Sequence, residues 1–362
     1  MTKIISFPHL GNYHYPISKL LRELTKEKVK AAPPITKKTL ELGSKYAPDT
    51  VCIPFKYNLG NFIESLNNGA NILFTAGGGC RYRYYAEVTE TILKDLGYNF
   101  EFYKIIKKDK LHIKEAYNIF KEINPHLTKR KFIHSFISCL LFIFYMDEID
   151  KIIRKNIGFE QKEGTHEKLQ KKMLNDFSNT TSIFKLTYLY IKYKHQFKKI
   201  KINKPRNCLR VGIIGELYTN MESFANYDLE KLLAKEKIEI KRFTNLSYLL
   251  WQKKLKEKYT LRKIKKYCKY KLGADGGDNI YRTLYLAKKK YDGIIHIKPF
   301  GCTPEITAIP IIQKICEEKE IPIIFFSYDE ESGTEGIKTR LEAFKDLITI
   351  RRENYEKSLF RN

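Results

Sequence analysis

The chain has 362 residues, 43% of them hydrophobic, which is enough for the cores of two or three ordinary domains and excludes disorder of the whole chain. Its formal net charge is +26, so we expect it to attract anionic partners. The seven cysteines are an odd number, and no leader pattern precedes the first predicted strand. We therefore expect a cytoplasmic protein, not a secreted one with a disulfide framework.

The first part of the chain, residues 1–107, alternates between strand and helix patterns. Short apolar runs predict strands, and apolar residues at helical spacing predict helices. The strands are predicted at 3–7, 51–54, 71–76 and 99–105, and the helices at 14–24, 36–46, 56–67 and 82–96. This alternation predicts a parallel sheet that is covered by helices on both faces.

Residues 108–205 lose the strand signals and show amphipathic helical periodicity, which predicts a basic helical subdomain. The longest apolar run, 132–146, is about fifteen residues long, whereas a transmembrane helix needs about 20. We therefore expect a buried helix, or a helix at a subunit interface, and no membrane association.

The third part, residues 206–362, returns to alternating strands and helices. Strands are predicted at 209–215, 238–243, 293–297 and 322–326, and helices at 226–235, 279–290, 303–319 and 339–358, with a basic helical stretch that ends near residue 271. The predicted fold class is thus α/β, with two Rossmann/flavodoxin-like parallel-sheet domains and a helical middle insertion. The predicted domain boundaries are 1–107, 108–205 and 206–362.

The positive charge is concentrated in residues 101–210 and 251–290. Basic blocks occur in nucleic-acid-binding proteins, so the alternative function is a basic nucleic-acid or polyanion binder without a cluster. Lysine greatly outnumbers arginine here, and these blocks lack Gly-rich or Arg-rich spacing. We therefore favour solvated helix faces, or steering of an anionic small molecule or an acidic partner protein, over nucleic-acid binding.

Three cysteines lie where a predicted strand gives way to a loop, namely Cys52, Cys80 and Cys302. Ligands of open α/β folds bind outside the carboxyl ends of the strands, so we expect these thiols to converge. Three soft ligands favour an iron–sulfur cluster over a disulfide framework. Structural zinc, a single nucleophilic cysteine and three inert buried thiols stay open as alternatives, although the sequence has neither close Cys pairs nor a local Cys/His signature.

The residues beside these cysteines suit a cluster. Gly78 and Gly79 precede Cys80, and their backbone amides are expected to bond to cluster sulfides. The positive charge of Arg81 favours a thiolate and offsets cluster charge. Cys302 stands at the start of a predicted helix, which also favours a thiolate. Three cysteines on a four-iron cluster leave one iron open to a substrate oxygen or to water.

Acidic residues follow the same predicted strand ends. Asp329 and Glu330 follow the strand 322–326, and Glu216 follows the strand 209–215. These carboxylates are candidates for acid/base catalysis, while a helix cap or an ordinary acidic loop is the structural alternative. The sequence has no Walker-type Gly-x4-Gly-Lys-Ser/Thr pattern, so we expect no ATP hydrolysis by this chain itself.

Several segments resemble the 2-hydroxyacyl-CoA dehydratase and benzoyl-CoA reductase superfamily, in particular its CoA-enzyme-activase-related branch, which is similar to the D-component of 2-hydroxyglutaryl-CoA dehydratase. The resemblance rests on Val-Cys-Ile-Pro-Phe-Lys at 51–56, Gly-Cys-Arg at 79–81 and His-Ile-Lys-Pro-Phe-Gly-Cys-Thr-Pro-Glu at 296–305. It extends to Tyr-Asp-Glu-Glu-Ser-Gly at 328–333 and Thr-Arg-Leu-Glu-Ala-Phe at 339–344. The basic helical middle carries no such motif.

The resemblance implies α/β domains stacked around an iron–sulfur cluster, with Cys52, Cys80 and Cys302 as ligands. It favours a single 4Fe-4S cluster over a double-cubane cluster, because the other four cysteines do not lie in matching motifs. Glu305, within the Cys302 motif, joins the three acidic candidates for catalysis. The implied partners are an actin/sugar-kinase-like ATPase activator, which supplies a low-potential electron, and an acyl-CoA or other small-molecule substrate. We therefore expect a dehydratase or reductase component that forms a homodimer or heterodimer.

Overall fold

The computed structural model describes residues 2–77, 80–107 and 110–359. The chain groups into two compact units, the first comprising residues 1–146 and 171–192 and the second residues 147–170 and 193–362. The three domain boundaries predicted from the sequence remain a prediction.

The first unit contains a four-stranded parallel sheet. Its strands are β1 (Ile4–Ser6), β2 (Lys28–Val29), β3 (Ile72–Thr75) and β4 (Glu101–Lys104). They lie in the order β2-β1-β3-β4. A short antiparallel pair follows, formed by β5 (Ile106–Lys107) and β6 (Lys110–Leu111). The helices that precede the middle of the chain are α1 (His14–Thr25), α2 (Lys37–Tyr46), α3 (Ile53–Asn67), α4 (Tyr85–Asp95) and α5 (Ile113–Ile123).

Three helices form the middle of the chain, and each contributes residues to both units. They are α6 (Lys129–Asn156), α7 (Thr165–Ser178) and α8 (Ile183–Lys199). Helices dominate this part of the chain, as its amphipathic periodicity predicts.

The second unit contains a parallel sheet of the same strand order. Its strands are β7 (Arg210–Gly215), β8 (Glu239–Arg242), β9 (Gly293–Pro299) and β10 (Ile323–Tyr328), arranged as β10-β9-β7-β8. Its helices are α9 (Leu217–Met221), α10 (Leu229–Lys235), α11 (Lys253–Ile264), α12 (Gly276–Lys288), α13 (Thr303–Glu318) and α14 (Thr334–Leu359). In each sheet the strand order reverses between the first and third strands, which is where open α/β sheets bind ligands.

Alternate residues of the strands enter cores on opposite faces of each sheet. In the second unit, Ile213 and Ile295 pack in a core with α10 and α14, whereas Ile214 and Ile294 pack in a core with α12 and α13. A strand that is buried on both faces reads as a nearly continuous apolar run, as residues 211–214 of β7 do. The predicted α/β class with two parallel sheets is therefore confirmed.

The segment around Cys52 differs from the prediction. Residues 51–54 were expected to be extended, but α3 already begins at Ile53, with Cys52 as its N-cap and Pro54 in the first turn. Proline suits this place because its fixed φ is helical and the first turn needs no N–H donor. Cys52 thus lies at the start of a helix and not at the end of a strand.

The long apolar helix α6 fits the buried helix that the sequence predicts. Within the described residues, the stretch Lys129–Phe159 is the one helical segment long and apolar enough to cross a membrane, and more than half of its most apolar part is buried. In the first unit, Phe142 stacks edge-on against Phe177 of α7 at 5.2 Å between ring centres, and Lys19 of α1 donates to Ser138 at 3.0 Å. These contacts are those of a core helix.

Helices α2 and α3 cross at two glycines. A methyl group on Gly60 of α3 would overlap the backbone carbonyl of Thr39, and one on Gly43 would overlap that of Lys56. We expect Gly60→Ala to lower the free energy of unfolding by about 3 kcal/mol, because backbone atoms cannot move aside as a flexible side chain can. Urea denaturation followed by circular dichroism measures this change.

Gly336→Ala on α14 is the matched control, since a methyl group there meets no atom within 4 Å. It is expected to raise the free energy of unfolding by up to about 1 kcal/mol, because alanine favours helices over glycine. Equal denaturation midpoints for the two variants would contradict the close crossing of α2 and α3.

Candidate functional site

Cys302 lies in the loop that connects β9 to α13. It is the N-cap residue of α13, and Pro304 lies in the first turn. The loop is tight, because the Cys302 amide donates to the Pro299 carbonyl at 3.2 Å. The amide of Phe300 donates to the carbonyl of Tyr328 at 2.9 Å, so the loops after β9 and β10 lie side by side at the carboxyl edge of the sheet. The predicted position of Cys302 between a strand and a helix is observed.

A buried lysine lies beneath this loop. Lys298 is 5% exposed, and its ammonium donates to the carbonyl of Phe300 at 3.1 Å. Burial lowers the pKa of Lys298, whereas the neighbouring Cys302 and Glu305 oppose this change. The sequence motif contains this lysine, but its burial became evident only in the fold.

Glu305 lies in the first turn of α13 and is buried, with only 1% of its surface exposed. Its carboxylate accepts hydrogen bonds from Asn279 Nδ2 at 2.9 and 3.0 Å and from His296 Nε2 at 2.7 Å. These donors come from α12 and β9. The contacts give Glu305 a positioning role, and its predicted catalytic role stays a prediction.

The hydrogen bonds continue beyond Glu305. Arg282 Nη1 donates to Asn279 Oδ1 at 2.8 Å and to Thr244 Oγ1 at 2.9 Å. Sequence reasoning did not select His296, Asn279 or Arg282. The available signal was the presence of His296 inside the apolar run of β9, where every residue is buried, since a buried polar group needs a partner.

Glu216 follows β7 and caps the short helix α9. Its carboxylate accepts from the amides of Tyr218 and Thr219, each at 2.9 Å, and from the Thr219 hydroxyl at 2.8 Å. Burial raises the pKa of the Glu216 carboxyl to about 7, although these hydrogen bonds oppose the rise and Asp275 adds to it. A carboxyl with such a pKa can exchange a proton near neutral pH.

Asp329 and Glu330 follow β10, as predicted. Asp329 Oδ1 accepts from the Ser332 hydroxyl at 2.8 Å and from the Glu331 amide at 3.1 Å, so this carboxylate stabilises its own turn. Glu330 is exposed. Helix α14 begins at Thr334, earlier than predicted, and shortens the acidic loop. The catalytic roles of Asp329 and Glu330 stay predictions.

In the first unit, Cys52 and Cys80 are connected through two tyrosines. The Tyr85 hydroxyl lies 3.2 Å from Cys52 Sγ, and the Tyr82 amide donates to Cys80 Sγ at 3.4 Å. The two tyrosine rings lie 5.2 Å apart. Burial, followed by the charge on Cys52, raises the pKa of Tyr85 well above its usual value, so the hydroxyl keeps its proton and can donate it.

Cys80 is the N-cap of a 3-10 helix, Arg81–Tyr84, so Arg81 directly follows the thiol, as the sequence predicts. The positive charge of Arg81 acts on Tyr85, which places it in the same neighbourhood. Gly78 and Gly79, expected to contact a cluster, lie outside the described residues.

The expected convergence of all three cysteines stays a prediction, because Cys52 and Cys80 belong to the first unit and Cys302 to the second. Among the residues that the structure describes, no group of three or more His, Cys, Asp or Glu side chains is placed to hold a metal ion. The chemistry of the three thiols nevertheless fits a cluster. Each caps the start of a helix and is only partly buried.

The other cysteines have different surroundings. Cys139, Cys268 and Cys316 are buried, and burial raises the pKa of Cys139 and of Cys316 to about 12. Cys208 is partly exposed, and burial raises its pKa as well. A raised pKa keeps the thiols of Cys139, Cys208 and Cys316 protonated and unreactive, which suits a structural role.

Residues 253–348 match the family model of the 2-hydroxyglutaryl-CoA dehydratase D-component. This match supports a relationship between the segment and the 2-hydroxyacyl-CoA dehydratase superfamily. It is roughly a quarter of the chain and runs from the first residue of α11 into α14, so it contains Cys302 and Glu305 but neither Cys52 nor Cys80. The family resemblance predicted from the sequence is confirmed. A search of curated proteins found no match.

Removal of the Glu305 carboxylate is expected to destabilise the second unit. Glu305→Ala leaves the buried donors of His296 and Asn279 without their acceptor, so we expect the free energy of unfolding to fall by about 3 kcal/mol. Chemical denaturation measures this loss. Glu317→Ala, at an exposed position of the same helix, is the control and should change stability by less than about 0.5 kcal/mol.

The raised pKa of Glu216 predicts a pH dependence of stability. Between pH 4.5 and about 7 the unfolded chain loses this proton while the folded chain keeps it, so stability should fall as pH rises, by at most about 3 kcal/mol. Glu216→Gln should flatten this part of the profile, measured by urea denaturation at several pH values. Glu335→Gln, at an exposed site, should leave the pH profile of stability unchanged. If the slope were unaltered in both variants, the raised pKa of Glu216 would be contradicted.

Proposed function

We propose that the chain is an iron–sulfur component of a dehydratase or reductase system, with Cys52, Cys80 and Cys302 as ligands of one 4Fe-4S cluster. The observation that carries this proposal is the common setting of these cysteines. Each is a partly exposed N-cap residue, whereas the other cysteines are buried or have a raised pKa. The family match of residues 253–348 supports the same conclusion, since that family is generally associated with iron–sulfur clusters.

The residues around the thiols would stabilise bound thiolates. The dipole of α3 and that of α13 favour negative charge at Cys52 and Cys302. The hydroxyl of Tyr85 would donate to Cys52 Sγ, and the amide of Tyr82 would donate to Cys80 Sγ. A bound cluster would supply one-electron transfer at low potential and one iron without a protein ligand.

The acidic residues at the sheet edge would handle protons. Glu216 has a pKa of about 7 and lies directly after β7, next to the strand that leads to Cys302. A group with this pKa can take up and release a proton at neutral pH. We propose Glu216 as the acid/base of the site, whereas Glu305 holds α13 against β9 and so orients Cys302.

The partner and substrate follow from the family. Proteins of this family work with an activator component, and we propose that an ATPase of the actin/sugar-kinase-like fold delivers the electron to this chain. An acyl-CoA, or another small molecule, is the proposed substrate. Turnover of acyl-CoA with activator, ATP and reductant would identify a catalytic component, and electron uptake without turnover would identify a relay.

Cluster content is the decisive measurement. Protein purified anaerobically, or reconstituted with iron and sulfide, is expected to bind about four irons per chain and to give an electron paramagnetic resonance signal after reduction. Cys52→Ser, Cys80→Ser and Cys302→Ser should each reduce the iron content to less than half, because each removes a ligand.

Cys208→Ser is the matched control, because Cys208 is also partly exposed but is not a proposed ligand. It should retain the full iron content and the unaltered spectrum. Iron-free protein after reconstitution, or equal iron in all four variants, would overturn the proposal.

A further inference from the structure

A cavity of about 320 Å³ lies in the second unit, beside the end of β8. Arg242, the last residue of this edge strand, lines it together with side chains from α11, α12 and the segment that follows β8. The cavity thus lies at the carboxyl edge of the sheet, where α/β folds bind ligands. None of the predicted cluster or catalytic residues lines it.

The charged side chains that line the cavity are all cations. They are Lys151, Lys241, Arg242, Lys256 and Arg282. Arg242 is neutralised by Glu230 at 2.8 Å, and Lys151 pairs with Glu148. The remaining three make no ion pair with any residue that the structure describes. About three positive charges are therefore left to face the cavity.

Arg282 is the most informative of these cations. It is only 3% exposed, and its guanidinium lies 4.8 Å from the ring centre of Tyr248 and 5.7 Å from that of Phe243. Nη1 donates to neutral acceptors, whereas Nη2 has no hydrogen-bond acceptor among the described residues. A buried donor without an acceptor costs free energy, which an anionic acceptor in the cavity would recover.

Lys241 shows that the cations repel one another. Burial lowers its pKa, and the charges of Lys151 and Arg154 lower it further, whereas Glu148 and Glu239 act in the opposite direction. Its ammonium lies 5.5 Å from the ring centre of Phe243. An anion in the cavity would relieve this repulsion.

The rest of the lining is rich in aromatic rings. Phe243 and Tyr285 form an edge-to-face pair at 5.5 Å, and Tyr259 and Tyr281 form another at 5.8 Å. With Tyr248, they give five aromatic side chains around the cavity. Aromatic walls favour a planar ring in the ligand, through stacked or edge-to-face contacts.

We propose that this cavity binds a phosphate monoester attached to an aromatic ring system, of the nucleoside monophosphate class. A phosphate monoester carries close to two negative charges at neutral pH, which suits the three unpaired cations better than a single carboxylate does. Its oxygens match the fork of donors on an arginine. The cavity volume lies at the lower end of the range for small-molecule sites. The proposal does not depend on the cluster.

Calorimetric titration of the full chain with adenosine 5′-monophosphate, adenosine and inorganic phosphate tests the proposal. We expect the nucleotide to bind at least tenfold more tightly than either part alone, and its affinity to fall as salt is raised. Equal binding of phosphate and nucleotide would reduce the site to a general anion site, equal binding of adenosine would exclude phosphate recognition, and absence of all binding would exclude the site. Each of these three results overturns the proposal.

Two lysines of α11 give a matched pair of variants. Lys256 lines the cavity, whereas Lys254, also exposed, does not. We expect Lys256→Gln to weaken nucleotide binding about fivefold and Lys254→Gln to change it less than about twofold.

Lys241→Gln and Arg282→Lys extend this test to two cations that are less exposed than Lys256. Each is expected to weaken nucleotide binding about tenfold, since the first removes a charge and the second removes the donor fork of arginine. Thermal melts establish that each variant is folded. If Lys241→Gln or Arg282→Lys does not fold, Lys256→Gln at the exposed rim still tests the proposal. Unchanged affinity in folded Lys256→Gln and Lys241→Gln would overturn the proposal.

Discussion

The hydrogen-bonded carboxylate of Glu305 determines the geometry of the second unit's sheet edge. It joins β9, through His296, to the first turn of α13 and, through Asn279, to α12. A carboxylate this deeply buried is tolerated only while its donors are present. Because Cys302 caps the same helix, the direction of the proposed cluster ligand depends on this buried contact.

The same polar network extends to the cationic cavity. Asn279 donates to Glu305 and accepts from Arg282, whose guanidinium lines that cavity. Helix α12 therefore contributes one side chain to the support of the Cys302 loop and another to the proposed anion site. The Cys302 loop and the cavity share no lining residue, but the side-chain contacts Glu305–Asn279 and Asn279–Arg282 connect them. Occupancy of one can bias the other only if this network has two arrangements.

Much of the fold could be predicted from the sequence, because strands buried on both faces give continuous apolar runs and their helices have clear periodicity. Helix α2 begins within one residue of its predicted start, because Thr36 caps it and forms a capping box with Thr39. The short apolar piece around Cys52 was assigned to the wrong element, because four residues cannot distinguish a strand from a helix start. The strand β2 was not predicted, because two residues are too few to show a strand pattern.

The candidate site was less predictable than the fold. Cys80, Cys302 and Glu216 could be selected as candidates because each follows a strand, and this signal is contained in a few consecutive residues. The contacts of Glu305 with Asn279 could not be found in this way, since 26 positions separate the partners. The cationic cavity is assembled from several distant elements, so its lysines resembled an ordinary solvated helix face in the sequence.

The strand order requires each unit to pair strands that lie far apart in the chain when it folds. The central pair β1–β3 joins Ile5 to Ile72, and the central pair β7–β9 joins Val211 to Gly293, so each sheet must close a loop of roughly seventy to eighty residues. Such long closures are entropically costly before pairing compensates, which slows folding relative to proteins with local contacts. The loops that carry Cys80 and Cys302 follow the later strand of each pair. Their final geometry therefore depends on these long-range strand pairings.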